Sequence, residues 1–171
     1  MDRPLPNTYW VLPERLLAGE YPGGSTDPET QLRLAKLQKA GIDCFIDLTE
    51  AGELAPYQHL LPKDAAYLRS AIVDESVPYN VRQTQQVLAA IKAGLESGKR
   101  IYVHCRAGIG RTGVIIGCHL AETETSGRTG LKLLNRLWKQ SERAGAYPSV
   151  PQTAEQADYI RHWPKLARRM P

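Results

Sequence analysis

Between Ile101 and Ala121 the chain passes from a short apolar run, Ile101-Tyr102-Val103-His104, into a turn crowded with glycine. It then enters a second apolar run from Gly113. The first run reads as a buried strand, and the stretch from Gly110 through Ala121 as a helix buried on most sides. A cysteine, Cys105, stands where the strand ends, and Arg111 follows six residues later.

The rest of the chain repeats the alternation of strand and helix. WVLPERLLAGEYPG is expected to form two short strands closed by a Pro22-Gly23-Gly24 turn. PETQLRLAKLQKAG carries Pro28 near the first turn of a helix and Gly41 just past its end. IDCFIDLT and YLRSAIV are strand candidates, and Pro78 is expected to open a helix that Gly98 ends. LKLLNRLWKQSERAG reads as an amphipathic helix, and PQTAEQADYIRHWPKLARRM as a last one broken or kinked near Pro164. Strands alternating with helices predict an α/β three-layer domain, with a central mainly parallel sheet flanked by helices. The length of 171 residues suits one domain, residues 1–171. In such sheets a binding site lies beyond the carboxyl ends of the strands, which is where Cys105 falls.

A formal charge of +4 suits anionic partners, but the basic residues are scattered, so no nucleic-acid partner is expected. Even the basic C-terminal segment with Arg161, Lys165, Arg168 and Arg169 reads as a solvated face. The longest apolar run, Gly113 to Ala121, is too short to span a bilayer, and no membrane insertion is expected. Cys44, Cys105 and Cys118 lack C-x-x-C spacing, so neither a disulfide framework nor a metal site is indicated. A reducing cytoplasm is the expected compartment. Cys44 and Cys118 read as core residues, as do Trp138, Trp163 and Tyr159.

Glycines at 108, 110 and 113 let the backbone curl so that successive N–H groups of Arg106, Ala107, Gly108, Ile109 and Gly110 line one concavity. The positive end of the following helix adds to it. That is an anion cradle, and a cysteine at its centre is expected to act as a thiolate. The planar fork of Arg111 suits two oxygens of a phosphate, which a lysine would not grip in the same way. Thr112 is expected to donate its hydroxyl to the Cys105 sulfur. The His104 ring is expected to hydrogen-bond backbone and fix the loop. A leaving alkoxide or phenoxide also needs an acid. Asp74, in the polar turn of IVDESVP about thirty residues before Cys105, is the candidate, with Glu75, Asp64 and Glu53 as competitors.

HCRAGIGRTG resembles the signature of the cysteine-dependent protein-tyrosine phosphatase superfamily, HCSAGIGRTG, and differs from it at Arg106. DESVP looks like the D-x-G-V-P part of that family's acid loop, and Gln152 to Gln156, QTAEQ, is similar to its Q-T-x-x-Q segment. The resemblance implies that Cys105 is the nucleophile, Arg111 holds the phosphate, Thr112 assists the leaving sulfur and Asp74 is acid and then base. It also implies that Gln152 and Gln156 position the hydrolytic water. The implied reaction is a two-step hydrolysis through a cysteinyl-phosphate, with no cofactor and no metal, on a phosphorylated protein or other phosphomonoester.

Three departures refine this. Ile72 and Val73 stand where tyrosine-specific members carry Trp-Pro, so the acid loop is expected to close differently. The chain lacks a convincing upstream tyrosine loop, and both points favour the compact dual-specificity branch. Arg106 adds a charge of the kind found in lipid phosphatases of the superfamily, but their second basic position is Ile109 here. Phosphotyrosine, with phosphoserine and phosphothreonine beside it, is the expected substrate. Phosphoinositide or RNA 5′-phosphate hydrolysis and a non-catalytic phosphoprotein-binding module are the alternatives.

Overall fold

The computed structural model of the chain describes residues 2–124 and 126–168; Arg169 lies outside the described residues. Strands β1 (Thr8–Leu12) and β2 (Leu16–Gly19) form an antiparallel hairpin. Its turn is not at Pro22-Gly23-Gly24 but at Pro13-Glu14-Arg15, where the Arg15 N–H donates to the Leu12 carbonyl at 3.0 Å. Glu14 supplies the left-handed conformation itself, with φ of 57°, so the turn needs no glycine. The Pro22 to Gly24 stretch instead leads into helix α1 (Asp27–Lys39), whose N-cap Thr26 accepts from the Glu29 N–H. Gly41, at φ 84°, lies just past the end of this helix.

Strands β3 (Cys44–Asp47) and β4 (Ala66–Arg69) follow, then helix α2 (Val81–Glu96) and strand β5 (Ile101–His104). Helix α2 does not open at Pro78. Asn80 caps it, its side chain accepting from the Gln83 N–H at 2.8 Å. Helices α3 (Arg111–Thr123), α4 (Gly127–Trp138) and α5 (Ala154–Arg168) complete the chain. Helix α5 runs through Pro164 rather than breaking there. Proline cannot donate to the Ile160 carbonyl one turn back, and Gly127 packs against that carbonyl, where a Cβ would come within 2.4 Å.

The sheet order is β1-β2-β5-β3-β4, with β2, β5, β3 and β4 mutually parallel. Alternate side chains divide the core in two. Leu17, Phe45 and Tyr102 face α1 with Leu34 and Leu37, while Ala18, Ile46 and Val103 face α2 to α5 with Ile91, Val114 and Ile160. Each leucine buried this fully contributes about 2 kcal/mol. Trp138, Trp163 and Cys118 are fully buried, Tyr159 stacks on Trp163, and Cys44 is half-buried at the start of β3. No helix among the described residues is long and apolar enough to cross a membrane.

The register decides where the chemistry sits. Gly19 and Asp47 both align with His104, and Asp47 with Arg69. The loops that begin at Glu20, Leu48, Ser70 and Cys105 therefore leave the same edge of the sheet, with Cys105 in the middle.

Candidate active site

Strand β5 delivers Cys105, buried, into a loop that Gly110 ends as the N-cap of α3. Gly108 takes φ of 77°, and a Cβ on it would lie 2.5 Å from the Gly19 carbonyl carbon, so only glycine fits. The Arg106 carbonyl accepts from the Tyr21 N–H at 3.0 Å, and the Ala107 carbonyl accepts from Arg143 Nη1 at 2.6 Å. A trans peptide points its carbonyl and N–H in opposite directions, so these bonds turn the N–H groups of Ala107 and Gly108 the other way. Among the described residues, no N–H from Arg106 to Gly110 donates to a backbone carbonyl.

His104 is fully buried, and its Nδ1 lies 3.2 Å from the Cys105 carbonyl, which can only accept. The proton is therefore on Nδ1, and Nε2 accepts from the Tyr57 hydroxyl at 2.6 Å. Burial pushes the His104 pKa down, in keeping with a neutral ring. The ring thus ties the loop to the segment after β3.

Arg111 is the most heavily engaged side chain of the site, and it is buried. Nη1 donates to Glu53 Oε2 at 2.7 Å and Nη2 to Glu53 Oε1 at 2.7 Å. Nη1 also reaches the Ile72 carbonyl at 3.1 Å, and Nη2 lies 3.0 Å from Asp74 Oδ1. The hydrogen bonds from Arg111 hold the Glu53 carboxyl at about 2, well below its ordinary 4.5. Glu53 Oε1 also pairs with Arg106 Nε at 3.2 Å. From the sequence alone Glu53 is only a rival acid to Asp74. Its role as the carboxylate joining both arginines has no local signal, because the partners lie more than fifty residues away.

Two buried donors remain beside the cysteine: Arg111 Nε and Thr112 Oγ1 have no hydrogen-bond partner. The expected bond from Thr112 to the Cys105 sulfur is therefore absent in this structure.

Asp74 is brought to the site by Ile72, which is buried in the core and receives the Arg111 bond on its carbonyl. Ile72 thus anchors the Asp74 loop by packing and by its carbonyl, while Val73 is exposed. Asp74 lines a cavity of about 160 Å³ together with Cys105, Arg106, Ile109, Gly110 and Gln152. Tyr147 stands in the same wall, half exposed and held by its backbone, with Trp138 Nε1 donating to its carbonyl at 2.7 Å. Nothing in the sequence distinguished this tyrosine. Asp64 lies elsewhere, beside Gln38, Gly41 and Asp43.

Gln152 and Gln156 both approach the loop: a Cβ at Gly110 would lie 3.2 Å from Gln152 Oε1 and 3.0 Å from Gln156 Nε2. Gln156, fully buried, accepts from the Thr153 N–H at 3.1 Å and donates to the Ser76 carbonyl at 2.8 Å. One end of its carboxamide thus closes the start of α5 on Thr153, and the other ties α5 to the Asp74 loop. Asn135 of α4 holds the preceding segment through the N–H and carbonyl of Val150, at 2.9 and 2.6 Å. A larger apolar groove of about 470 Å³ lies between α2 and α3, lined by Leu88, Leu95 and His119 and sharing no residue with this cavity. No group of three or more His, Cys, Asp or Glu among the described residues is arranged to hold a metal ion.

Residues 20–125 match the family described as "Polymorphic toxin system, DSP-PTPase phosphatase". The chain belongs to this DSP-PTPase phosphatase family. The matched span contains the Asp74 loop and the whole cysteine loop of this family member. Among its relatives, protein 067L of Invertebrate iridescent virus 3, which carries a tyrosine phosphatase name, is 38% identical over 96 residues, covering 53% of this chain and 39% of the viral one. Protein 197R of Invertebrate iridescent virus 6, similarly named, is 29% identical over 115 residues, covering 66% of this chain and 41% of that one. The chain thus spans about two-fifths of the length of these relatives. The crystal structure of Tk-PTP in its active form superposes with a TM-score of 0.75 at 22% identity, covering 96% of this chain and 99% of that one. At that identity the likeness establishes the shared fold.

Proposed function

We propose that this protein hydrolyses phosphomonoesters in two steps through a cysteinyl-phosphate on Cys105, with phosphotyrosine in proteins as its main substrate and phosphoserine or phosphothreonine beside it. The observation that carries this reading is the meeting of two segments: Asp74, from the turn after β4, lines one cavity with Cys105, and its carboxylate lies 3.0 Å from the guanidinium of Arg111 at the end of the cysteine loop. The loop N–H groups and Arg111 Nε hold the phosphoryl oxygens. The Cys105 thiolate attacks phosphorus, the ester P–O bond breaks, and Asp74 gives its proton to the departing oxygen. Water then displaces the sulfur while Asp74, now a carboxylate, takes the water's proton. The two unpartnered buried donors, Arg111 Nε and Thr112 Oγ1, support this assignment, because a phosphoryl group and a leaving sulfur would satisfy them.

Tyr147 at the rim supports an aromatic leaving group, since its ring offers a wall to another ring. Ile109 is buried and Arg106 is paired with Glu53, so the rim lacks the two free cations that a polyphosphorylated lipid headgroup would favour. All three cysteines are free thiols, which suits the reducing cytoplasm. The test is a substrate panel of phosphotyrosine, phosphoserine and phosphothreonine peptides, phosphoinositides and RNA 5′-triphosphate, run with chelator present. Fastest turnover of phosphotyrosine peptide, unchanged by EDTA, is expected. A preference for phosphoinositide or RNA would replace the protein substrate, and binding of phosphopeptide with no turnover at all would make the site a recognition module.

A further inference from the structure

Glu75 directly follows the acid and is exposed, yet its backbone takes φ of 60°, a left-handed conformation unfavourable for a residue with a Cβ. In that conformation its carboxylate reaches the segment before α5, where Oε1 accepts from Gln152 Nε2 at 2.7 Å. A carboxylate can only accept hydrogen bonds, whereas a carboxamide has a donor end and an acceptor end. Glu75 therefore takes the NH2 end of Gln152 and leaves its carbonyl oxygen on the side of Gly110, along the wall of the Cys105 cavity. Gln156 is oriented differently, its Oε1 accepting from the Thr153 N–H and its Nε2 donating to the Ser76 carbonyl.

We propose that Glu75 is a positioning residue that fixes the orientation of Gln152, so that an acceptor and not a donor faces the water of the second step. The inference rests on the cysteinyl-phosphate reading above. In that step the water oxygen forms a bond to phosphorus, the P–S bond breaks, and its electron pair returns to Cys105 as a thiolate. One water proton goes to the Asp74 carboxylate. The other stays on the oxygen, donated in a hydrogen bond to Gln152 Oε1, and leaves with the hydrogen phosphate product. A carboxamide turned the other way would present N–H to a water that already has to give up its protons, and would misorient its lone pair. The first step involves no water, so Glu75 acts on the second step alone.

Rapid-quench measurement of both steps with a phosphotyrosine peptide tests this. Glu75→Gly removes the carboxylate and suits the left-handed backbone, so the variant folds; Glu75→Gln keeps an acceptor but allows either amide orientation. Formation of phosphocysteine is expected to stay within about twofold of wild type in both. Its hydrolysis should slow roughly three- to tenfold in Glu75→Gly, the worth of one hydrogen bond, and less in Glu75→Gln, with phosphoenzyme accumulating in the same order. Equal slowing of both steps would mean that Glu75 merely holds the acid loop shut, and unchanged hydrolysis would mean that Gln152 is oriented without it; either result overturns the proposal. If no phosphocysteine is trapped even in wild type and in Gln152→Ala, the two-step reading itself fails, and this inference with it.

Discussion

Both carboxylate oxygens of Glu53 bind the two terminal nitrogens of Arg111, at 2.7 Å each, while Nε of the same guanidinium is buried without a partner. The pair holds one edge of the planar fork and leaves the other for an incoming anion. In the proposed role, a guanidinium fixed in this way would lose little freedom on gripping a phosphate, which would favour arginine over lysine.

The first prediction follows from that edge. Glu53→Gln keeps the shape but weakens two charge-assisted hydrogen bonds, each class of bond being worth about 1.5–3 kcal/mol. A fall in kcat/KM of about ten- to hundredfold is expected in steady-state kinetics. Near-normal values would mean that Ile72 and Asp74 alone position Arg111.

The same pair sets a pH dependence of stability. The Glu53 carboxyl lies at about 2 in the fold against an ordinary 4.5, so the folded protein binds the proton less readily than the unfolded chain. Its stabilisation is fully present above pH 4.5 and is lost as pH falls toward 2. Denaturant titrations should show the stability gap between wild type and Glu53→Gln closing over that window. A gap that stays constant down to pH 2 would contradict the pairing.

What the sequence made legible and what it hid differ in range along the chain. The cysteine loop could be read because strand end, glycines, Cys105 and Arg111 are contiguous, and local geometry is all the cradle needs. Asp74 could be read because a polar turn after a strand is itself a local pattern. Glu53 and Tyr147 were hidden, since each acquires its place only when distant segments meet at the sheet edge. Glu75 and Gln156 were partly visible. The sequence put them near the chemistry, but their hydrogen bonds run to Gln152 and Ser76 across more than seventy residues. The hairpin turn was misplaced for a different reason: Pro22, Gly23 and Gly24 carry the stronger turn chemistry, while Glu14 makes the real turn in a conformation that glutamate seldom takes.

Asp74→Asn tests the acid. With peptide phosphoserine or other poor leaving groups the rate should fall roughly 10²–10⁴-fold, and much less with an aryl phosphate whose oxygen needs little protonation. A uniform loss across leaving groups would assign Asp74 to holding Arg111, from which it lies 3.0 Å, and not to proton transfer.

Arg106 is half exposed, and its Nε is paired with Glu53 at 3.2 Å, so only part of its charge is offered to substrates. Arg106→Ser should raise KM for acidic phosphopeptides by about fivefold at most, an effect of 1 kcal/mol or less that fades with added salt, and leave kcat nearly unchanged. A large fall in kcat would instead mean that Arg106 acts through Glu53 on Arg111.

The central claim is that Cys105 takes the phosphoryl group, and acid quenching during turnover of a phosphotyrosine peptide, followed by peptide mass spectrometry, tests it most directly. One phosphoryl group on the peptide containing Cys105 is predicted in wild type, and none in Cys105→Ser, which should still bind the phosphopeptide through the loop N–H groups and Arg111. A phosphoryl group on any other residue, or sustained turnover by Cys105→Ser, would contradict the account.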